Sequence, residues 1–145
     1  MTPTSIGHKL TDTEIKYLCS KTSNVRGCYK LLKFDSRTAN VDARGIAEVS
    51  VDLASNKANK THSLLTSSVN ATHDSRLKNI YKLCPNNYND AIRNLKAIKN
   101  YQLSSAYKNI PSQVKDGYEE IKQCKKVYGE AISDRAHIKK KNPEF

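Results

Sequence analysis

The chain has 145 residues, 37% of them hydrophobic, and a formal net charge of +11 at pH 7. This length suits one domain, the few glycines and prolines exclude collagen-like and low-complexity classes, and no run of about 18 apolar residues could span a membrane. A strongly basic chain suits polyanions such as nucleic acid, acidic polysaccharide, anionic lipid or an acidic protein surface, and charge alone does not choose among them. A solvated surface that only confers solubility is the alternative.

Helical spacing of apolar residues runs through the chain, and strand signals are nearly absent. Near the N-terminus, Thr11 and Glu14 fit a capping box, in which each side chain pairs with a backbone N–H of the other residue. Three apolar residues that follow share one helical face: Ile15, Leu18 and Cys19. A turn is predicted over Ser23–Gly27, and the second short helix after it carries apolar residues at Cys28, Leu31 and Leu32.

Longer helices are predicted after this hairpin. The first runs over about Asn40–Val69, and the last over about Ser112–Ala131. Pro85 falls inside the helical pattern between them, where it is predicted to kink the helix or begin a new one, because proline lacks an N–H donor. A further turn, with a short helical piece, is predicted over Asn100–Pro111.

The spacing of the four cysteines favours one of the three possible pairings. Cys19 and Cys28 flank the first turn, so they lie at matching heights on the hairpin. Cys84 and Cys124 each lie 20 residues from Ser104, which is in the second turn. Residues equally far from a turn face each other in an antiparallel helix pair, so both pairs can form disulfides. Four free thiols in an intracellular bundle are the alternative.

The sequence contains no pattern typical of a catalytic or metal site. The adjacent residues His73, Asp74 and Ser75 cannot form a triad, since triads assemble through space, and Asp74 or Ser75 is instead predicted to cap a helix. No closely spaced cysteine pair suits zinc. We therefore expect no enzyme activity, no metal and no cofactor. A basic helical module that binds nucleic acid is an alternative, and it predicts reduced cysteines.

A set of residues in fixed order then suggests a family. In chain order they are Cys19 with Thr22, Cys28 with Leu31-Leu32, Gly45–Ala54, Leu83-Cys84, Ala91-Ile92, Asn100-Tyr101, and Cys124 with Tyr128. With these residues the sequence resembles the plant invertase and pectin methylesterase inhibitor family over roughly Ile15–Tyr128.

The resemblance implies an all-α fold, an up-down four-helix bundle that begins with a helical hairpin and has two sequential disulfides. We expect one inhibitor-like domain over residues 1–145, with the hairpin at 11–36, bundle helices at 40–131 and a basic, mobile tail at 132–145. The resemblance also implies secretion to the plant cell wall or apoplast, with the vacuole as an alternative. Two glycosylation sequons, at Asn59 and Asn70, agree with secretion.

The implied function is inhibition of a target enzyme by covering its active-site cleft, without nucleic-acid or membrane partners. Invertase inhibitors of this family commonly carry Pro-Lys-Phe where this chain has Tyr101-Gln102-Leu103, which favours pectin methylesterase over acid invertase as the target. A non-inhibitory, pollen-type family member is a further alternative. Acidic pectin is a second expected partner of the basic chain. The expected target contacts are six consecutive turn residues: Asn100, Tyr101, Gln102, Leu103, Ser104 and Ser105.

The family has an apolar closing helix after the fourth cysteine, and here that region is short and basic. The last bundle helix is therefore expected to be missing or truncated, which would leave apolar helix faces exposed. We expect reduced stability or self-association as a consequence. Size-exclusion chromatography checks this expectation, and a tight monomer with a high, cooperative melting transition would contradict it.

Overall fold

The structure, a computed structural model, describes the backbone of residues 8–141 and the side chains of residues 8–129. Within this part of the chain it is all-α, as predicted, with no strand. The helices are α1 (Asp12–Cys19), α2 (Val25–Phe34), α3 (Ala43–Ala71), α4 (Ser75–Tyr81), α5 (Leu83–Leu103) and α6 (Ile110–Lys141), with short 3-10 helices at Ser36–Asn40 and Tyr107–Asn109. Among the described residues, no helix combines the length and the apolar character needed to cross a membrane.

The first of two compact units lies within Met1–Leu53, and it contains the α1–α2 hairpin. A disulfide between Cys19 and Cys28 closes the hairpin at a Cα–Cα distance of 5.5 Å. Thr11 Oγ1 accepts a hydrogen bond from the Glu14 N–H at 3.2 Å, and Glu14 Oε1 accepts one from the Thr11 N–H at 3.0 Å, as the capping box predicts. The core of the unit consists of Leu10, Ile15, Cys19, Leu32, Ile46 and Val49.

The hairpin differs from the sequence prediction in two respects. The turn ends before Gly27, because Asn24 Oδ1 accepts a hydrogen bond from the Gly27 N–H at 2.9 Å and so begins α2 at Val25. Leu18 and Leu31 follow the predicted helical spacing, but both are exposed, at 42% and 55%. Fewer apolar residues of the hairpin are therefore buried than the helical spacing in the sequence predicts.

Asp12 joins α1 to α2 through side-chain contacts. The Tyr29 hydroxyl donates a hydrogen bond to Asp12 at 2.6 Å, and the ammonium groups of Lys33 and Lys16 lie 3.1 Å and 3.3 Å from its carboxylate oxygens. These contacts, with the Tyr29 hydrogen bond as the largest cause, lower the pKa of Asp12 to about 2 from an ordinary value of 3.8. The folded state therefore favours the ionised carboxylate.

The lowered pKa of Asp12 predicts a specific loss of stability in acid. A group whose pKa is depressed on folding stabilises the protein above its unfolded pKa, and this contribution disappears as the pH falls from 3.8 towards about 2. We expect Asp12→Asn to lower the melting temperature at pH 6 and to flatten its decline below pH 4. Tyr29→Phe, which removes the strongest contact, is expected to do the same to a smaller extent. Identical melting curves against pH for wild type and Asp12→Asn would contradict the assignment.

The second compact unit lies within Ala54–Phe145 and contains α4, α5, α6 and the later part of α3. The Cys84–Cys124 disulfide joins α5 to α6 at a Cα–Cα distance of 4.6 Å. Beside it, the rings of Tyr81 and Tyr128 stack with centroids 5.0 Å apart. On α3, Val69 packs with Tyr81, and Leu65 packs against the residues around the disulfide. The disulfide and the tyrosine pair fix the register of α6 against α4 and α5.

Helix ends in this unit partly follow the sequence. A new helix begins at Leu83, so Pro85 lies in the first turn of α5, where its missing N–H breaks no helical hydrogen bond. The turn predicted from Asn100 begins only at Ser104, because the Asn100 carbonyl still accepts from the Ser104 N–H at 3.0 Å. Helix α6 continues ten residues past the predicted end at Ala131, to Lys141. The rest of the predicted tail, 142–145, lies outside the described residues.

Candidate functional site

Polar side chains connect α5 and α6 along one side of the pair. Asn87 Nδ2 donates a hydrogen bond to Glu120 Oε2 at 2.7 Å, and Asn94 Nδ2 donates one to Gln113 Oε1 at 2.8 Å. All four side chains are half-buried. Each bond joins residues that lie nearly equally far from the turn at Ser104, so the antiparallel register set by the disulfide extends over the whole pair.

Gly117 lies between these two hydrogen bonds. A Cβ atom at this position would meet the Asn94 Cβ at 3.5 Å, an ordinary contact distance, and no other side-chain atom is nearer. The space beside Gly117 is therefore filled by Asn94 and has room for about one methyl group. A bulky side chain at this position would have to project outwards from the helix pair.

Two carboxylates complete this surface. Asp90 lies three residues after Asn87, and Asp116 lies three residues after Gln113, so both follow the same helical faces as the bonded amides. Arg93 forms an ion pair with Asp90. We call this surface the polar face, and its residues are Asn87, Asp90, Asn94, Gln113, Asp116, Gly117 and Glu120. It concentrates acceptor oxygens and acidic groups on a chain whose net charge is strongly positive.

Asn87 carries an unsatisfied acceptor at this face. Its Oδ1 is buried and has no hydrogen-bond partner among the described residues. Rotating the amide would bring its oxygen against the Glu120 carboxylate and leave Nδ2 unpaired instead. A buried polar atom without a partner costs about 1–3 kcal/mol, which offsets part of what the Asn87–Glu120 hydrogen bond contributes.

The six turn residues predicted as contacts differ in their exposure to solvent. Tyr101 and Gln102 are half-buried in the last turn of α5, whereas the other four are exposed. Leu103 is 74% exposed. Ser105 has a φ of 59°, which reverses the chain after α5. The turn is therefore accessible as a short tip, and its role in binding stays a prediction.

The remaining predicted site residues are not among those that define the polar face. Asn59 and Asn70 are exposed on α3, where a glycan has room, and their modification stays a prediction. All four cysteines are in disulfides. Among the side chains of residues 8–129, no group of three or more histidine, cysteine or acidic residues is arranged to hold a metal ion.

Sequence reasoning did not identify the polar face, although the necessary signal was present. The symmetry about Ser104 that pairs Cys84 with Cys124 also brings Asn87 within one residue of the position opposite Glu120, and Asn94 within one residue of the position opposite Gln113. This symmetry is informative for cysteines even without a structure, because two opposed cysteines can bond covalently. Amides and carboxylates are common on any helix, so their pairing becomes informative only once the register is known.

Three comparisons with known proteins bear on these helices. The family model described as plant invertase/pectin methylesterase inhibitor matches residues 13–116. A pectinesterase inhibitor of Actinidia deliciosa is 34% identical over 96 residues, which is 66% of this chain and 52% of that protein. Pectinesterase inhibitor 1 of Arabidopsis thaliana is 30% identical over 88 residues, 61% of this chain and 49% of that protein. The chain thus spans about half the length of the curated relatives it matches.

The fold is also similar to a solved structure. The crystal structure of a pectin methylesterase inhibitor from Arabidopsis thaliana superposes with a TM-score of 0.58 at 24% identity, covering 81% of this chain and 77% of that one. At this identity the similarity concerns the fold alone.

Proposed function

Because this chain belongs to the plant invertase/pectin methylesterase inhibitor family, we propose that it binds a pectin methylesterase and blocks its active-site cleft. The family is one of enzyme inhibitors, and the chain is not itself a catalytic enzyme, as the sequence predicted. The observation that carries the proposal is the 34% identity to a pectinesterase inhibitor over 96 residues.

The polar face is the proposed contact surface. Its half-buried amides are held in place by two interhelical hydrogen bonds, so few side chains need to become ordered on binding. Gly117 adds no side chain beside Asn94 that would hold a target away from this face. The tip at Asn100–Ser105 is proposed as a secondary contact.

The proposal extends to architecture and location. The helices described above are proposed to belong to a single inhibitor-like domain of the up-down four-helix type. Two disulfides support folding in an oxidising compartment, and hence secretion to the cell wall or the apoplast. The vacuole is the alternative location.

Parallel titrations test the target. The oxidised chain is added to a plant pectin methylesterase and to an acid invertase, at mildly acidic pH and low salt. We expect stoichiometric inhibition of the methylesterase and none of the invertase, since Tyr101-Gln102-Leu103 lacks the Pro-Lys-Phe triplet. Inhibition of the invertase alone would show that acid invertase, and not pectin methylesterase, is the target. No inhibition of either enzyme would favour a non-inhibitory family member and would contradict the proposal.

A further inference from the structure

Lysines on α6 lie away from the polar face. Lys115, Lys122 and Lys126 recur at steps of seven and four residues, which places them on one side of the helix. Lys115 and Lys122 each follow a polar-face residue by two positions, roughly 200° around the helix. With Tyr118 and Lys125 they form a second surface, the lysine face, defined by Lys115, Tyr118, Lys122, Lys125 and Lys126.

The charges of the lysine face are available to a ligand. Lys115, Lys125 and Lys126 are exposed and form no ion pair with any described residue. The Lys122 ammonium lies 3.6 Å from a Glu119 carboxylate oxygen, and both side chains are more than half exposed. Exposed pairs of this kind contribute about 0–1 kcal/mol, so an incoming anion can compete for Lys122.

Tyr118 provides an aromatic ring between Lys115 and Lys122 on the lysine face. Its side chain is 61% exposed, and the Lys122 ammonium lies 5.4 Å from the ring centroid. An exposed aromatic ring offers a flat surface on which the C–H groups of a sugar can pack, with its hydroxyl left for hydrogen bonding. Lysine ammonium groups beside such a ring match a polymer in which each repeating unit carries both a sugar ring and a carboxylate.

We infer that the lysine face binds de-esterified pectin, a chain of galacturonate units. The inference rests on the proposed function, which places the protein beside an enzyme that converts uncharged methyl esters into carboxylates. The lysine face and the polar face point in different directions from α6, so the polymer and the enzyme can be held together. Binding to newly exposed carboxylates would raise the inhibitor concentration where the target enzyme has been active.

Binding of the oxidised full chain to two pectins tests the inference. Polygalacturonate and highly methyl-esterified pectin are compared at low salt and again with added salt. We expect binding to polygalacturonate at least about tenfold tighter than to the esterified polymer, with a steep loss in salt because ion release drives it. Equal binding to both polymers would overturn the inference.

A matched pair of triple variants identifies the surface. Lys115→Gln, Lys122→Gln and Lys126→Gln together are expected to weaken polygalacturonate binding about tenfold or more. Lys57→Gln, Lys60→Gln and Lys96→Gln remove the same charge from exposed positions on α3 and α5 and are expected to change it about two- to threefold at most. Equal losses in the two triples would show a general charge effect and overturn the assignment.

Two further readouts separate the remaining explanations. Tyr118→Ala keeps every charge and is expected to weaken binding to polygalacturonate, whereas retention of full affinity would remove the ring from the proposal. Duplex DNA that displaces polygalacturonate at equal charge concentration would indicate a nucleic-acid surface instead. Methylesterase inhibition is measured on each variant. Polygalacturonate binding without inhibition would refute the proposed function alone, and inhibition without polygalacturonate binding would refute only this inference.

Discussion

Replacing both Cys84 and Cys124 by alanine is expected to lower the free energy of unfolding by about 4 kcal/mol. Their disulfide spans 40 residues, and the entropy that a cross-link removes from the unfolded chain grows with the length of the loop. Both residues are also buried beside the tyrosine stack, Cys84 completely. Denaturant titration of the oxidised protein, followed by far-ultraviolet circular dichroism, measures the change.

The other disulfide provides the control. Cys19→Ala with Cys28→Ala opens a loop of only nine residues, for which the same relation gives about 2.5 kcal/mol. The order of the two losses is therefore fixed by loop length. A larger loss from the short loop, or no loss from the long one, would contradict this account of how α5 and α6 are held together.

A tryptophan at position 117 is expected to weaken inhibition of the methylesterase at least about tenfold. The Gly117 position leaves room for a Cβ atom at 3.5 Å from Asn94 but not for an indole between the two helices, so the ring must stand out from the polar face. Contacts near the centre of an interface carry most of its binding energy, so a ring that holds the enzyme away from this region is expected to weaken binding. Inhibition titrations measure the effect, and circular dichroism with the melting temperature checks the fold.

Gly129→Trp is the matched control on the same helix. A Cβ at Gly129 would meet no atom within 4 Å, and the residue lies twelve positions beyond Gly117, roughly 120° around α6. We expect this variant to inhibit as the wild type does. If both tryptophans weakened inhibition equally, or neither did, the polar face would not be the contact surface.

The sequence predicted the elements better than their boundaries. Helical spacing and the capping box at Thr11 located the hairpin, because both depend on residues close together in the chain. The end of α5 was misplaced by about four residues, since Asn100 is common in turns. The structure continues the helix until Ser104 and Ser105, where the reversed backbone at Ser105 ends it. Local composition alone does not decide between these two positions.

The candidate site was harder to predict than the fold. The polar face depends on which faces of two distant segments meet, and Leu31 shows that an apolar residue at the right spacing can still be exposed. Turn residues attract attention because loops commonly carry binding sites. Here the ordered, hydrogen-bonded amides lie along the helices, at Asn87 and Asn94 and their partners.

The most direct test of the central claim is site-specific photo-crosslinking to the methylesterase. A benzophenone amino acid is placed at position 116, on the polar face, or at position 118, on the lysine face, two residues away and roughly 200° around the same helix. The account predicts a crosslink to the enzyme from position 116 and none from position 118. A crosslink from position 118 alone, or from neither position in a mixture that contains the enzyme, would contradict it.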